Sequence, residues 1–394
     1  MSLPRLLVSV LLGLSLLAGG AWLGGHPGSL PVPLRSLFVA DDVRTLQSAL
    51  DTIEDDYYRR VDRDDLVDDG LGGTVQKLND RFSAYLDPAS FRRFEESSQG
   101  EFSGVGMEVG QVPAGLRVNR VFPRSPAARA GIARGDLVVA VNGRSIAGRP
   151  SAVSTSLIRG RPGTPVTLTV VSRGRRRTER LSRARISAPA VTARVRTVGG
   201  VKLGVVALAG FSSGAHGELR QVIDRQLRAG ARGIVLDLRG NGGGLLTEAV
   251  LVSSVFIADG TIVTTKGRSR PRKVYRATGA AIARRIPVIV LVDDGSASAS
   301  EIVAGALQDR RRARLVGTRT FGKGVFQQVS ELPNGGALDI TVGEYFLPSG
   351  RNIGGGGTRR GGGIAPDVRA VDRAGTRADE GLDAALRTLA AEAR

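Results

Sequence analysis

One sequence feature restricts the possible fold and chemistry of this chain more than any other. It is a short apolar run that leads directly into a serine-rich helix start. Residues 287–292 read Pro-Val-Ile-Val-Leu-Val and are followed by two aspartates and a glycine. A run that is short, rich in β-branched residues and closed by turn formers predicts a buried strand. Serines at positions 296, 298 and 300 then open a helical pattern with an apolar face. A serine at such a turn can expose its hydroxyl beside a helix N-terminus, which can stabilise an oxyanion.

Strand and helix patterns alternate throughout the second half of the chain. Strands are predicted at 201–208 and 233–238, with an amphipathic helix at 217–227 between them, and a further helix is predicted at 245–257. This alternation predicts an α/β domain. Residues 379–394 have a short helical pattern.

Residues 102–186 have a different, β-rich and glycine-rich character. A glycine loop at 104–106 enters a strand, Asn142-Gly143 predicts a tight turn, and a helix is predicted at 151–158. Upstream of this region, residues 43–96 have a polar helical pattern that is interrupted at 80–88.

The N-terminus has the pattern of a targeting segment. Arg5 precedes an almost wholly apolar stretch, residues 6–22, which predicts a secretory signal or a short signal-anchor. A buried core helix is the alternative. We expect the remainder to be exported, periplasmic or extracellular, with a retained segment acting as a membrane anchor.

Composition narrows the chemistry that the chain can perform. It has no Cys and only two His, His26 and His216, which excludes thiolate chemistry and leaves little for a histidine-based triad or zinc site. The formal charge of +19 is compatible with a nucleic-acid partner or with a solvated, arginine-rich surface. The scattered arginines and the 4% aromatic content favour the second interpretation, so we expect no nucleic-acid partner.

A serine nucleophile needs a base, and Lys323 is a candidate. It is one of only five lysines and lies between two glycines, Gly322 and Gly324. Burial and nearby positive charge lower a lysine pKa, and the roughly 3 units needed to approach neutrality are within that range. The residues that follow look extended, so Gln327 would point to the same side as Lys323 and could orient its amine.

Three segments resemble the motifs of the carboxyl-terminal processing peptidases, also called tail-specific proteases. Residues 237–244 (DLRGNGGG) are similar to the family's D-L-R-N-N-x-G-G. Residues 296–301 (SASASE) match its serine motif, and 317–327 are similar to G-x-x-T-F-G-K-G-x-x-Q. The ordered set in 102–186 resembles a PDZ domain of the bacterial protease-associated type. The resemblance covers about residues 40–370.

The resemblance implies a serine–lysine dyad. Ser298, the middle serine, would be the nucleophile, Lys323 the general base and Gln327 the orienting residue. The backbone N–H groups of Ala299 and of a glycine in the 242–244 loop, Gly244 foremost, would form the oxyanion hole. The flanking serines at 296 and 300 are interpreted as helix caps. No metal, nucleotide or other cofactor is implied.

The PDZ resemblance implies capture of a peptide C-terminus. Backbone N–H groups at Gly104, Val105 and Gly106 would hold the carboxylate while the peptide adds to the sheet edge. One of the two glycines could instead be needed only for its φ angle. The expected partners are therefore proteins or peptides with accessible C-termini, and the family's terminal helices leave a homo-oligomer open.

The resemblance implies a mixed α/β fold: an α/β serine-protease core with an inserted PDZ-like β-rich domain and N-terminal and C-terminal helices. We expect a signal segment at 1–30, a helical region at 31–98, the PDZ-like domain at 99–187, the protease core at 188–370 and a helical tail at 371–394.

Three other interpretations compete with a peptidase. Residues 317–324 nearly fit a P-loop, but Gly324 replaces the Ser or Thr that would hold magnesium, and no helix follows. A non-catalytic peptide-binding scaffold of the same architecture would be expected to lose Ser298 or Lys323, and both are present. An acyl-transfer enzyme acting on thioesters would leave the PDZ-like region unexplained.

Overall fold

The structure is a computed structural model that describes residues 41–279, 281–358, 361–373 and 378–394. In these ranges, no helix has both the length and the apolar character needed to span a bilayer. The predicted signal segment, residues 1–30, lies outside the described residues.

The elements up to residue 190 are, in chain order, α1 (Asp41–Asp56), α2 (Arg63–Gln76), β1 (Ala84–Leu86), α3 (Pro88–Ser98), β2 (Glu101–Gly104), β3 (Met107–Val112), β4 (Gly115–Val121), α4 (Pro126–Arg129), β5 (Leu137–Val141), β6 (Arg144–Ser145), α5 (Ser151–Ile158), β7 (Pro165–Ser172), β8 (Arg175–Ser182) and β9 (Ala184–Ser187). Those after residue 190 are β10 (Val191–Val198), β11 (Val201–Leu208), α6 (Ala215–Arg228), β12 (Ile234–Asp237), α7 (Leu246–Ser254), β13 (Thr261–Lys266), β14 (Lys273–Arg276), β15 (Val288–Val292), α8 (Ala299–Asp309), β16 (Arg314–Gly317), β17 (Val325–Glu331), β18 (Ala337–Phe346), β19 (Val368–Arg369) and α9 (Glu380–Glu392). The mixed α/β fold expected from the sequence is confirmed.

A six-stranded sheet in the order β10-β11-β12-β15-β16-β19 forms the centre of the second half. The β10–β11 pair is antiparallel and the other neighbours are parallel. Helices cover both faces: α6, α7 and α8 contribute to one apolar cluster and α9 to the other. All five residues of β15 are buried, as expected for a central parallel strand covered on both sides. Because parallel strands end together, β12 and β15 deliver the loops that follow them to one edge of the sheet.

A second, antiparallel sheet lies beside that edge and is organised around the long strand β18. This strand pairs with β1, β13 and β17, and β14 continues the sheet beyond β13. Residues 80–88 interrupt the helical pattern of this region in the sequence, and the structure shows that residues 84–86 within them form strand β1. The pairing of Ala84 with Asp339 explains why: its partner lies more than 250 residues later, beyond the reach of a local pattern.

The β-rich region forms its own sheet in the order β3-β4-β5-β7-β8, around an apolar cluster that includes Leu116, Val138 and Leu168. Strand β3 is at the edge of this sheet. Strands β2 and β9 pair with each other and form a two-stranded neck at the two ends of the region. Helix α5 coincides with the helix predicted at 151–158.

Two helices precede this body in the chain, α1 and α2. In α1 none of the residues is buried. Arg63, the first residue of α2, lies 2.8 Å from both Asp51 and Glu54 of α1. These exposed ion pairs hold the two helices together only weakly.

Candidate active site

The candidate nucleophile Ser298 lies on a sharp turn between β15 and α8. It is the N-cap residue of α8 and has φ 56° and ψ −113°, a conformation that a residue with a Cβ rarely adopts. Holding such a backbone costs about 1–3 kcal/mol, and strain of this kind concentrates at functional sites. The turn places a half-buried hydroxyl next to the first N–H groups of the helix.

The two flanking serines do not cap the helix, so that part of the sequence interpretation was wrong. Ser296 Oγ donates to the Leu238 carbonyl at 2.8 Å, and Ser300 Oγ donates to the Asn241 carbonyl at 2.8 Å. Both serines are fully buried. They attach the serine turn to the loop after β12, which carries the glycines.

The glycine loop approaches the serine turn closely. A Cβ on Gly243 would lie 2.9 Å from the Cβ of Ser298 and 3.0 Å from the Ala299 nitrogen. The Gly243 N–H donates to the Asn241 side chain at 2.9 Å. Among the described residues, neither the Gly244 N–H nor the Ala299 N–H has an acceptor in the protein. These two N–H groups without an acceptor are the ones that the family resemblance implies for an oxyanion hole.

Lys323, the candidate base, precedes β17 and is half-buried. Burial lowers the pKa of its amine, while the charges of Asp339, Asp80 and Glu301 act in the opposite direction without cancelling the effect. Its Nζ lies 5.0 Å from the centre of the Phe82 ring, which is one of the apolar surfaces that exclude water from the amine. The result is an amine that loses its proton more readily than an exposed lysine.

A buried carboxylate joins the two segments that carry the serine and the lysine. Glu301 Oε2 accepts the N–H groups of Ser298 and Lys323, both at 2.9 Å. Its Oε1 accepts the Thr320 hydroxyl at 2.6 Å and the Gly322 N–H at 2.7 Å. Burial raises the pKa of Glu301, and these four donors oppose that shift. Four donors on one carboxylate fix both backbone segments relative to each other.

Tyr345 of β18 makes a second connection between the same two segments. Its hydroxyl donates to the Lys323 carbonyl and lies 3.5 Å from the Ser298 carbonyl. The side chain is fully buried, and burial raises the pKa of the phenol well above its usual value. It is therefore a neutral donor throughout the physiological range.

Gln327 lies in β17, four residues after Lys323. The strand begins only at Val325, and its pairing with β18 is shifted by a bulge between Phe326 and Gln327. The simple even-spacing argument therefore does not describe this segment. The Gln327 Nε2 donates to Thr341 Oγ1 of β18 at 3.0 Å.

One cleft of about 1020 Å³ brings the predicted site residues together. Its lining includes Ser298, Ala299, Gly244, Lys323 and Gln327. Helix α3 and the residues on both sides of the two-stranded neck form another part of its wall. Among the described residues the one histidine is His216, whose side chain pairs with Glu248 at 2.9 Å, and neither of these two residues lines the cleft.

The glycine loop at 104–106 does not line that cleft and lies in the β-rich region, before the edge strand β3. Gly106 has φ 82°, and a Cβ there would lie 2.2 Å from the Cβ of Ser125. Gly104 has neither constraint, so a conformational reason accounts for only one of the two glycines. Among the described residues, the N–H groups of Val105 and Gly106 donate to no protein acceptor.

Sequence reasoning missed the supporting residues of the site. The position of Glu301, three residues after Ser298 at the start of a helix, was a signal in the sequence. Its partners at 320–323 could not be predicted, because only the fold brings them near it. The segment at 80–88 was noticed only as an interruption of a helical pattern. Tyr345 gave no signal.

Three family models match successive parts of the chain. The activating protease CtpB N-terminal domain matches residues 35–90, a PDZ domain matches 117–172, and peptidase family S41 matches 202–370. A Staphylococcus epidermidis protein named "Probable CtpA-like serine protease" is 33% identical over 329 residues, which is 83% of this chain and 65% of the relative. A Staphylococcus aureus protein with the same name is 34% identical over 334 residues, 82% of this chain and 65% of the relative. The chain thus spans about two thirds, 65%, of the length of these relatives.

Solved structures agree with this assignment. The photosystem II D1 C-terminal processing protease is 28% identical, with a TM-score of 0.51, over 87% of this chain and 97% of that chain. A Bacteroides fragilis protein whose structure is titled as an S41 protease shares the fold. It is 18% identical, with a TM-score of 0.53, over 85% of this chain and 91% of that chain. The matched models place a PDZ domain before an S41 peptidase domain in the chain. Residues 202–370 match peptidase family S41, and the similar proteins that align with most of this chain are named CtpA-like serine proteases.

Proposed function

We propose that this protein is a serine endopeptidase that cleaves through a Ser298–Lys323 dyad and an acyl-enzyme. The observation that carries the proposal is the strained Ser298 turn, which shares one cleft with a lysine whose pKa burial lowers. The two uncommitted N–H groups at Gly244 and Ala299 in the same cleft support it. Serine needs a base to act as a nucleophile at neutral pH, and a neutral lysine amine can supply that role.

In this mechanism, the neutral Lys323 amine takes the proton of the Ser298 hydroxyl as the oxygen bonds to the scissile carbonyl carbon. The developing oxyanion accepts hydrogen bonds from the N–H groups of Ala299 and Gly244. The lysine ammonium then gives its proton to the leaving amine as the carbon–nitrogen bond breaks. Water attacks the acyl-enzyme with Lys323 again as base, which releases the carboxylic acid and restores Ser298. Gln327 orients the lysine amine.

We propose further that the PDZ region recognises substrate C-termini. The free N–H groups of Val105 and Gly106 would hold the terminal carboxylate, and the edge strand β3 would pair with the peptide. A structural relative carries the name of a C-terminal processing protease, which supports the same substrate class here. We also propose the domain limits expected from the sequence, with the PDZ-like domain at 99–187 and the protease core at 188–370.

Export is also a proposal, and it rests on Arg5 and the apolar residues 6–22. A retained segment would anchor the enzyme to a membrane, and a cleaved one would release it. N-terminal sequencing of the mature protein distinguishes the two outcomes.

The deciding experiment incubates the purified protein with an unfolded substrate in two forms, with and without an apolar C-terminal tail. We expect the wild type to cleave the tailed form faster. Ser298→Ala and Lys323→Ala should each abolish cleavage, and so should Lys323→Arg, because a guanidinium keeps the charge but cannot accept a proton.

The outcomes separate the alternatives. Binding of the tailed peptide without any cleavage by the wild type would favour a non-catalytic scaffold. Full activity of Lys323→Arg would remove the lysine from the role of base. Equal cleavage of both substrate forms would leave the dyad in place and overturn C-terminal recognition.

A further inference from the structure

A segment that precedes the PDZ region in the chain contacts the candidate catalytic lysine, Lys323, and Thr341, the hydrogen-bond partner of Gln327. We call residues 80–87 the N-terminal strap. Its strand β1 pairs with β18, and its Phe82 ring covers the amine of Lys323. Ser83 Oγ accepts the backbone N–H of Thr341 at 3.0 Å. The strap is therefore fixed on the strand that carries the hydrogen-bond partner of Gln327.

Asp80 is the charged group of the strap. It accepts the Ser83 hydroxyl at 2.5 Å and the Phe82 N–H at 2.9 Å. Burial alone would raise the pKa of this carboxyl, but hydrogen bonding from Ser83, Thr341 and Phe82, with the charge of Lys323, lowers it overall. Asp80 is thus ionised at neutral pH and can only accept hydrogen bonds.

This ionised state sets the direction of the bonds that follow. The Thr341 side chain is one of the hydrogen-bonding groups that lower the pKa of Asp80, and a hydroxyl that bonds to a carboxylate must donate to it, so the proton of Thr341 is directed to Asp80. The lone pairs of Thr341 Oγ1 are then left to accept, and the group that donates to them at 3.0 Å is Gln327 Nε2. An amide whose nitrogen is held in this way presents its oxygen on the opposite side.

We propose that Asp80 is a positioning residue for the dyad: acting through Thr341, it fixes the Gln327 amide with its oxygen available to Lys323. This inference rests on the proposed function, because it assigns Gln327 to the orientation of the lysine amine. A reversed amide would direct an N–H at the amine and remove the acceptor that aligns it. Asp80 touches no reacting atom and acts on the reaction only through Thr341, Gln327 and its own charge.

The carboxylates around the Lys323 amine affect its pKa. Carboxylates face Lys323 from three elements: Asp80 on the strap, Asp339 on β18 and Glu301 on α8. Each one favours the ammonium and raises the lysine pKa. Loss of the Asp80 charge should therefore lower the pKa of Lys323 and move the acid limb of the pH profile to lower pH.

The test measures kcat/KM for the tailed substrate against pH in a set of variants. Thr341→Val, which removes the hydroxyl and leaves the charge, should lower kcat/KM at least tenfold without moving the acid limb. Asp80→Asn should lower it by a similar factor and move the limb to lower pH. Thr341→Ser keeps the hydroxyl and should restore activity to within about threefold of the wild type.

The decisive test repeats the Thr341→Val substitution in a Gln327→Ala variant. If Thr341 acts through the amide, Thr341→Val should cause no further loss once the amide is gone, whereas a purely structural role gives additive losses. Asp87→Asn is the matched control. Asp87 lies at the other end of the strap and caps α3, because its Oδ1 accepts the N–H groups of Ala89 and Ser90, both at 2.8 Å. Asparagine caps a helix equally well. The Asp87→Asn variant should therefore keep its activity and pH profile.

Failure of the inference and failure of the proposed function give different results. Wild-type activity in Lys323→Ala would overturn the dyad. An inactive Lys323→Ala together with a fully active Thr341→Val, or additive losses in the Gln327→Ala background, would overturn the role of Asp80 alone.

Discussion

Replacing Glu301 with glutamine tests whether one carboxylate holds the two halves of the site together. The carboxylate accepts four hydrogen bonds, from the N–H groups of Ser298, Gly322 and Lys323 and from the Thr320 hydroxyl. A glutamine has one oxygen, so its NH₂ group must face two of these donors. The Thr320 hydroxyl can rotate and accept, but at least one buried N–H is then left without a partner.

The magnitude follows from these bonds. Hydrogen bonds to a charged acceptor contribute about 1.5–3 kcal/mol each, and an orphaned buried N–H costs about 1–3 kcal/mol. Removing the charge also removes its burial penalty, which is visible in the raised pKa of Glu301 and offsets part of the loss. We expect Glu301→Gln to lower the free energy of unfolding by about 2–4 kcal/mol, and to lower kcat by at least a hundredfold because the nucleophile and base shift apart.

Glu248→Gln is the matched control. Glu248 is also buried and accepts the N–H groups of Gly214 and His216 as well as the His216 ring, but it does not line the cleft. Chemical denaturation should show a comparable loss of stability in both variants, while active-site titration and turnover should show the large loss of kcat in Glu301→Gln alone. Wild-type turnover in a folded Glu301→Gln enzyme would refute the connecting role.

Three further predictions concern the same site. Ser298→Gly should have a free energy of unfolding about 1 kcal/mol higher than Ser298→Ala in chemical denaturation, because glycine relieves the strained φ while alanine keeps it. Gly243→Ala should reduce kcat at least a hundredfold, since its Cβ would lie 2.9 Å from the Ala297 carbonyl oxygen, whereas Gly242→Ala meets nothing within 4 Å and should lose far less. Because the folded-state pKa of Lys323 is lowered, the buried ammonium destabilises the fold below that pKa, and the penalty fades as pH rises towards the unfolded value of about 10.4. Lys323→Met should therefore raise the melting temperature at pH 7, with a smaller difference at pH 10, and an equal difference at both would contradict this account.

Local patterns predicted the elements that carry the chemistry. The apolar run before the serines is β15 and the pattern after them is α8, because a buried strand and an amphipathic helix are encoded over a few residues. The motifs likewise predicted the residues that the cleft brings together.

Contacts between distant segments could not be predicted in this way. The serines at 296 and 300 bond to carbonyls 58 and 59 residues earlier, so a capping interpretation based on neighbouring residues failed. The three-residue strand β1 has no pattern of its own and exists because β18 offers it an edge. The same holds for Asp80, whose relation to Gln327 depends on a strand pair formed across most of the chain.

The two-stranded neck formed by β2 and β9 has a consequence for how this chain can be rebuilt. The PDZ region leaves and re-enters the protein at neighbouring points, where the Ala188 N–H donates to the Gly100 carbonyl at 2.9 Å. A domain with adjacent ends can be cut out and the gap closed by a short turn, or exchanged for another module of similar end spacing. Since Gly100 and Ala188 also line the cleft, a module grafted there would be joined to the wall of the candidate active site by two covalent connections. Ligand binding to such a module could then be used to control the proposed peptidase activity.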